Sequence, residues 1–431
     1  MLKSASVVLF GVMQCCWSRP CRLIGDERTP PNFEGVIHSK KLAPVSGKRA
    51  VLVILWDPHR PGHSAPAAKM MDELLFGPRP SVADWFAENS GGAVTIEKAG
   101  LLGWYDADKP GEHYWSTNEK TDPADRDGDG WLNGHVEKWA EAIRKADREF
   151  DFAERDTNGD KTLQPEELAI LIVIPQAGPF GTNRVPAGRQ FPKTEPLIVD
   201  GVRIPMIAEV YTGLPASFGA PAHELSHLLL GAPDLYMNGP WPFAAGEFCL
   251  MDNSYTSGHL NPFLKLKLGW LKPTVVTKSG DYRLKSVEQH GEVLVLFDPA
   301  RGPGEYFLLE NRHRGQSYDA GVGKAGRGIS SDGLAVWHIL EDPKLIELAK
   351  PPIGGPGEWG RKGIRLIRSN GGTPGDDAHA LFSKRGTTLS DTTEPAHLRW
   401  IDGSPTGFHI TVMSDPKPEL QLRITLGTAE P

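Results

Sequence analysis

Ala50 to Trp56 (AVLVILW) is a near-continuous, β-branched apolar run, the pattern of a strand buried on both faces of a sheet. Ala67 to Phe76 reads as a helix with Pro66 opening its first turn. Ser81 has the side chain to cap a second helix, VADWFAEN, which stops at Gly91-Gly92 before a strand at Val94 to Ile96. Val136, Trp139, Ala140, Ile143 and Phe150 recur at helical spacing and mark one buried face. A second fully apolar strand is expected at Ala169 to Ile174. Leu197 to Val199 and Val202 to Ile204 flank Asp200-Gly201, a hairpin signal, and Met206 to Tyr211 continues as strand.

After about Pro273 the pattern changes to short strands between Gly and Pro turns: Val293 to Phe297, Tyr306 to Glu310, Leu334 to Ile339, Ile364 to Arg368, Phe408 to Val412 and Leu420 to Leu426. Pro351 to Gly357 and Gly371 to Gly375 read as long loops. The expected class is α+β, with a first domain at 35–273 and a β-rich subdomain at 274–431.

Composition narrows the function classes. The chain has 431 residues with Lys+Arg 47 against Asp+Glu 54, a net charge of −7 that argues against a polybasic nucleic-acid or membrane surface. Gly 48 and Pro 37 make up about a fifth of the chain where about 12% is usual, so turns and loops are abundant. No stretch reaches the ~20 apolar residues needed to span a bilayer. Lys3 and the apolar Ser4 to Met13 fit a short secretory signal within a 1–34 leader, although no small-x-small cleavage site follows; an unstructured leader is the other reading. Cys15, Cys16, Cys21 and Cys249 do not form a disulfide framework, and Cys249 reads as a buried thiol rather than a nucleophile.

The strongest chemical signal is His223-Glu224-Leu225-Ser226-His227, the H-E-x-x-H pattern. On a helix, positions i and i+4 share a face, so two neutral imidazoles can hold one zinc ion while Glu224 reaches a water beside it. Pro221 suits the first turn, Ala222 and Leu225 to Leu230 propagate the helix, and Gly231 with Pro233 stops it. Asp234 then arrives in position to supply a third ligand, as in metzincins with Asp in the last place. Met251, in the turn-rich Leu250-Met251-Asp252, occupies the expected place of a Met-turn, and Tyr255 is a candidate for stabilising an oxyanion.

HELSHLLLGAPDLY at 223–236, GEFCLMDNSY at 246–255 and NPFLKLKLGWLKP at 261–273 resemble the immune-inhibitor-A type of secreted zinc metallopeptidase. The resemblance extends through LFGPRPSVADWFAENSGG upstream and EYFLLENR and GLAVWHILED downstream, about residues 48–427 in all. It implies a metzincin-like zinc peptidase domain with a mixed sheet and an active-site helix, followed by a β-rich C-terminal subdomain. It further implies a secreted endopeptidase acting on protein or peptide substrates. The family pattern has Gly three and Asp six residues after the second His, whereas Gly231 and Asp234 stand four and seven after His227. One of Leu228 to Leu230 must therefore be absorbed by an added helical residue or a bulge. The third ligand stays open at this level: Glu247, 20 residues after His227, matches the thermolysin-type spacing, and Tyr236 or water are further options.

Two acidic segments carry a second signal. Asp156, Asn158, Asp160, Thr162, Gln164 and Glu167 fall at positions one, three, five, seven, nine and twelve of a calcium-binding loop, with Lys161 at the usual Gly position. The resemblance implies an acidic calcium-binding loop at this location too. Asp125, Asp127 and Asp129 form a weaker version with Val136 at position twelve; its bland reading is a solvated turn. His338 and His409 lie in strand patterns and read as core or surface histidines. The expectation is a secreted zinc endopeptidase with calcium as a second cofactor. The rival is a non-catalytic calcium-binding module with a structural or lost zinc site, against which the presence of Glu224 argues.

Overall fold

The first apolar run forms β1 (Gly47–Asp57), and its side chains divide strictly by parity between two hydrophobic clusters. Val51, Val53 and Leu55 face one cluster; Leu52, Ile54 and Trp56 face the other. Such burial on both faces is what a continuous β-branched run requires. The residues described in the computed structural model are 42–58, 67–114, 133–175, 189–190, 196–212, 219–235, 245–256, 258–322, 326–342, 363–372 and 376–427. The expected 1–34 leader, the acidic positions Asp125, Asp127 and Asp129, the 351–357 loop and Tyr236 lie outside them.

Along the chain follow α1 (Ala68–Phe76), α2 (Val82–Asn89), β2 (Val94–Asp106), α3 (Gly111–Tyr114), α4 (Asn133–Ala146), β3 (Ala169–Pro175), β4 (Arg189–Gln190), β5 (Leu197–Val199), β6 (Val202–Ile204), β7 (Met206–Thr212) and α5 (Gly219–Leu230). The central sheet has the order β2-β1-β3-β7-β4, parallel except for the antiparallel edge strand β4. Residues of α1, α2 and α5 join the cluster on one face, and those of α4 and the β5–β6 hairpin join the cluster on the other. Positive φ at both Asp200 and Gly201 closes that hairpin in the turn the Asp-Gly pair favours.

The chain continues through α6 (Pro262–Lys267), β8 (Lys272–Val275), β9 (Gly280–Lys285), α7 (Val287–His290), β10 (Glu292–Leu296), β11 (Glu305–Arg312), β12 (Gly333–Leu340), β13 (Ile364–Ile367), β14 (Thr388–Leu389), β15 (Phe408–Val412) and β16 (Glu419–Leu426). A five-stranded sheet, β13-β12-β11-β10-β8, faces a four-stranded one, β14-β15-β16-β9. Phe307, Leu309, Leu334 and Val336 fill the space between the two sheets. Tyr306, Leu308, Ala335 and Trp337, on the opposite face, join the same cluster as Val53 and α5. Packing thus runs unbroken across residue 273. The architecture is mixed α/β with few helices, compatible with an α+β class.

Several elements differ from the sequence expectation. β2 runs ten residues past Ile96 because its later residues keep pairing with β1 through two register shifts. α4 ends at Ala146 rather than Phe150: the Glu149 amide turns back to the Ala146 carbonyl, and Phe150 packs edge-on to Phe152 from the following turn. β8 and β9 were not foreseen, since both are short and mostly exposed on their side chains.

One ion pair ties α4 to the sheet. Lys138 Nζ lies 2.7 Å from Glu209 Oε1 with both side chains wholly buried, and the Trp139 indole donates to the same carboxylate. Truncating one partner leaves a buried charge stranded, at a cost of about 3–5 kcal/mol, whereas an apolar pair of similar volume can be neutral. Glu209→Ala should lose stability of that order in urea titrations. Lys138→Met/Glu209→Leu should recover most of it.

Candidate metal centre

All twelve residues of α5 are buried, as expected of a helix apolar on nearly every side. The helix lies against β7 and β3 and holds His223, Glu224 and His227 inside the principal core. Its first turn presses on the chain at 254–256: a methyl group at Gly219 would sit 1.8 Å from the Ser254 carbonyl oxygen. Its last turn closes at Gly231, whose φ of 67° reverses the chain. α5 continues through Leu230, so Leu228 to Leu230 are all helical before the turn at Gly231.

Three electron-rich atoms meet beneath this turn. His223 Nε2 lies 2.9 Å from His227 Nε2 and 3.0 Å from Asp234 Oδ1, and His227 Nε2 lies 3.2 Å from the same oxygen. Each ring turns its other nitrogen to a main-chain carbonyl: His223 Nδ1 to Leu250 O at 3.0 Å, His227 Nδ1 to Ala232 O. A carbonyl only accepts, so both Nδ1 atoms carry a proton, and in the neutral rings both Nε2 atoms turn their lone pairs toward each other and the carboxylate. Glu224 Oε1 stands 3.6 Å from His223 Nε2. Among the described residues, His223, Glu224 and His227 are the group whose donor atoms could hold a metal ion.

Such donors gather around a shared cation, a proton or a metal ion. Zinc bonds of about 2.0–2.1 Å put tetrahedral donor atoms roughly 3.3 Å apart, so two imidazoles and a carboxylate at these separations fit the ion with little adjustment. The electrostatics agree. Burial disfavours the charged forms, yet the two imidazoles hold the Asp234 carboxyl well below the usual range, and Asp234 with Glu224 pushes His223 up to about 9. Burial keeps His227 below its ordinary value. The centre opens toward solvent on the Asp234 side, whose side chain is 18% exposed against 0% for His227.

The other expected site residues fall as follows. Glu247 lies apart from the histidines, with its carboxylate accepting from the Ser330 amide and hydroxyl. Met251 is fully buried, and its carbonyl accepts from Leu235 N at 2.9 Å, which tethers the chain next to Asp234. Tyr255 is exposed and makes no hydrogen bond to the His–Asp group. Cys249 is buried, with its thiol pushed up to about 12 by desolvation. His338 is a core histidine stacked on Phe307 and bonded to Glu305, while His409 is exposed on β15. No residue pattern marks the Leu250 and Ala232 carbonyls, because any residue type supplies one.

The 156–167 loop folds onto its own amides. Asp156 accepts from Gly159 and Lys161 N (both 2.9 Å), Asn158 from Asp160 N (2.8 Å) and Asp160 from Thr162 N (2.7 Å). Glu167 accepts from Thr157 and Asn158 N and, through Oε2, from Gln164 N at 3.1 Å. Lys161 takes a φ of 60°, the left-handed conformation that its position demands. Thr162 pairs with Arg203 of β6, so the loop is braced by a hairpin rather than by a second loop of its kind.

The close approach at Gly219 generates a test. Gly219→Ala should destabilise the protein by about 1–3 kcal/mol through overpacking and weaken metal binding at α5. Gly280→Ala, at a position with nothing within 4 Å, should leave both nearly unchanged in parallel melting and metal titrations. Neither a scan against protein-family models nor a search of curated proteins finds a match to this chain.

Proposed function

We propose that the protein is a zinc-dependent endopeptidase of metzincin type, secreted and acting on protein or peptide substrates. The observation that carries this reading is the contact of His223 Nε2, His227 Nε2 and Asp234 Oδ1, with Glu224 alongside. When bound, zinc supplies Lewis-acid polarisation of a scissile carbonyl and makes water more acidic. The residues of the chain do the rest. Glu224 accepts the proton of the attacking water and returns it to the leaving amine. Leu250 and Ala232 keep both rings in the tautomer that offers Nε2. Among the described residues no helix is long and apolar enough to cross a membrane.

Glu224→Gln should retain zinc while casein hydrolysis falls to background, because the amide cannot take the water proton. Hydrolysis near the wild-type rate in that variant would sink the peptidase reading. Asp234→Ala should lower zinc affinity sharply, and Glu247→Ala should leave it nearly intact; the reverse pattern would move the protein out of the metzincin class.

The 156–167 loop supports calcium as a second cofactor, through the ordered oxygen donors of Asp156, Asn158, Asp160 and Glu167 and the left-handed Lys161. Binding to the folded state alone would add about 2.7 kcal/mol at a hundredfold excess over Kd. Millimolar calcium should therefore raise the melting temperature, and Glu167→Gln should blunt that rise. Identical wild-type melting curves with calcium and with a calcium-selective chelator would rule the site out.

A further inference from the structure

The segment 245–261 connects the metal centre to the C-terminal half. Asp377 accepts from Glu247 N at 3.3 Å, Thr256 Oγ1 donates to Arg327 O at 2.9 Å, and Asp319 Oδ1 accepts from His259 N at 3.0 Å. Between these ties runs a tight turn. The amides of Asp252 and Asn253 return to the Cys249 carbonyl at 3.0 and 3.1 Å, and Asp252 Oδ2 accepts from Gly246 N at 2.8 Å. Such a turn moves as a unit, and its Leu250 carbonyl is the one that holds His223.

Arg312 grips this unit closest to that carbonyl. The residue ends β11, is wholly buried, and uses Nε and Nη2 to hold both oxygens of Asp319 at 2.7 Å. A guanidinium is planar, so locking one edge fixes the other. Nη1 is thereby aimed at the Phe248 carbonyl, 2.9 Å away, with Glu310 Oε1 at 3.2 Å. Phe248 stands two residues before Leu250.

We infer that Arg312 is a positioning residue for the metal centre, acting through the Phe248 carbonyl to fix the 249–253 turn and through Leu250 O to set the tautomer and angle of His223. The C-terminal half thus takes part in metal binding without supplying a ligand. This inference rests on the zinc reading above.

The test uses the full chain and zinc alone. Arg312→Lys keeps the charge beside Asp319 and Glu310, but a single ammonium cannot hold Asp319 at both oxygens and still reach Phe248 O. Zinc affinity, measured by competition with a chromophoric chelator, should fall about 10–100-fold, and the visible spectrum of the cobalt-loaded protein should shift. Trp337→Phe removes a 2.9 Å hydrogen bond to Glu310 in the same cluster without touching Phe248, and should leave affinity within about twofold and the cobalt spectrum unchanged. Asp319→Asn frees the guanidinium edge and should give an intermediate loss, which keeps the test decisive should Arg312→Lys fail to fold. Wild-type zinc affinity in folded Arg312→Lys or Asp319→Asn would overturn the role of Arg312 alone. An equal loss in Trp337→Phe would also overturn it, since the effect would then be general softening. Absence of zinc binding by the wild type would overturn the metal reading and this inference with it.

Discussion

Two imidazole nitrogens and a carboxylate oxygen held within 3.2 Å of one another stay together only around a shared cation, a proton on His223 or a metal ion. In water such groups would turn away, each toward its own solvent. Here they cannot. α5 is buried along its whole length, the far nitrogen of each ring is fixed on a main-chain carbonyl, and Asp234 is tethered through its neighbour Leu235 to Met251. The surrounding fold orders these donors in advance, so a metal ion that displaced the proton would lose little in ordering them.

The two halves of the chain share this work because β11 and β12 are buried on both faces. One face completes the sandwich core; the other shares a cluster with β1 and α5. At that junction the apolar packing gives way to charge. Arg312, Asp319, Glu310 and Lys265 are all buried, with Asp319 held below its ordinary value beside Arg312 and Lys265 pushed down to about 8 by desolvation and the nearby guanidinium. Buried ion networks contribute little net stability, but they penalise misalignment steeply, since a displaced partner leaves a naked charge behind. A network of this kind between the halves fixes their register more tightly than apolar contact alone could.

How much of this was legible in the sequence depended on distance along the chain. β1, β3 and the Asp200-Gly201 hairpin announce themselves by local pattern, and so does Ser81, whose hydroxyl accepts from Asp84 N at the start of α2. The H-E-x-x-H pair was equally plain, being a statement about one helix face. Interactions joining distant segments left weaker traces. Glu310, Asn311 and Arg312 follow the apolar Tyr306 to Leu309 in EYFLLENR, and charged residues buried in such a strand are themselves a sign of partners elsewhere, but nothing local names Asp319 or the Phe248 carbonyl. Backbone carbonyls carry no side-chain signature at all. The end of α4 was misjudged because Phe150 sits in helical phase with Ile143 while packing from a turn.

The spacing between His227 and Asp234 shows why counting residues is a weaker guide to ligands than finding the anchors. One extra residue in a helix rotates all that follows by about 100° and advances it about 1.5 Å, enough to turn a ligand away from its metal. Yet Asp234 meets both histidines, since its position is set by hydrogen bonds on either side of it and not by residue count alone. The Ala232 carbonyl is bound to His227 Nδ1, the Leu235 amide is bound to the Met251 carbonyl, and Pro233 stiffens the short bridge between. With both ends of 232–235 fixed to parts of the centre itself, the left-handed Gly231 absorbs the rotation. The donor geometry therefore belongs to the turn and its anchors as much as to the helix that carries the two histidines.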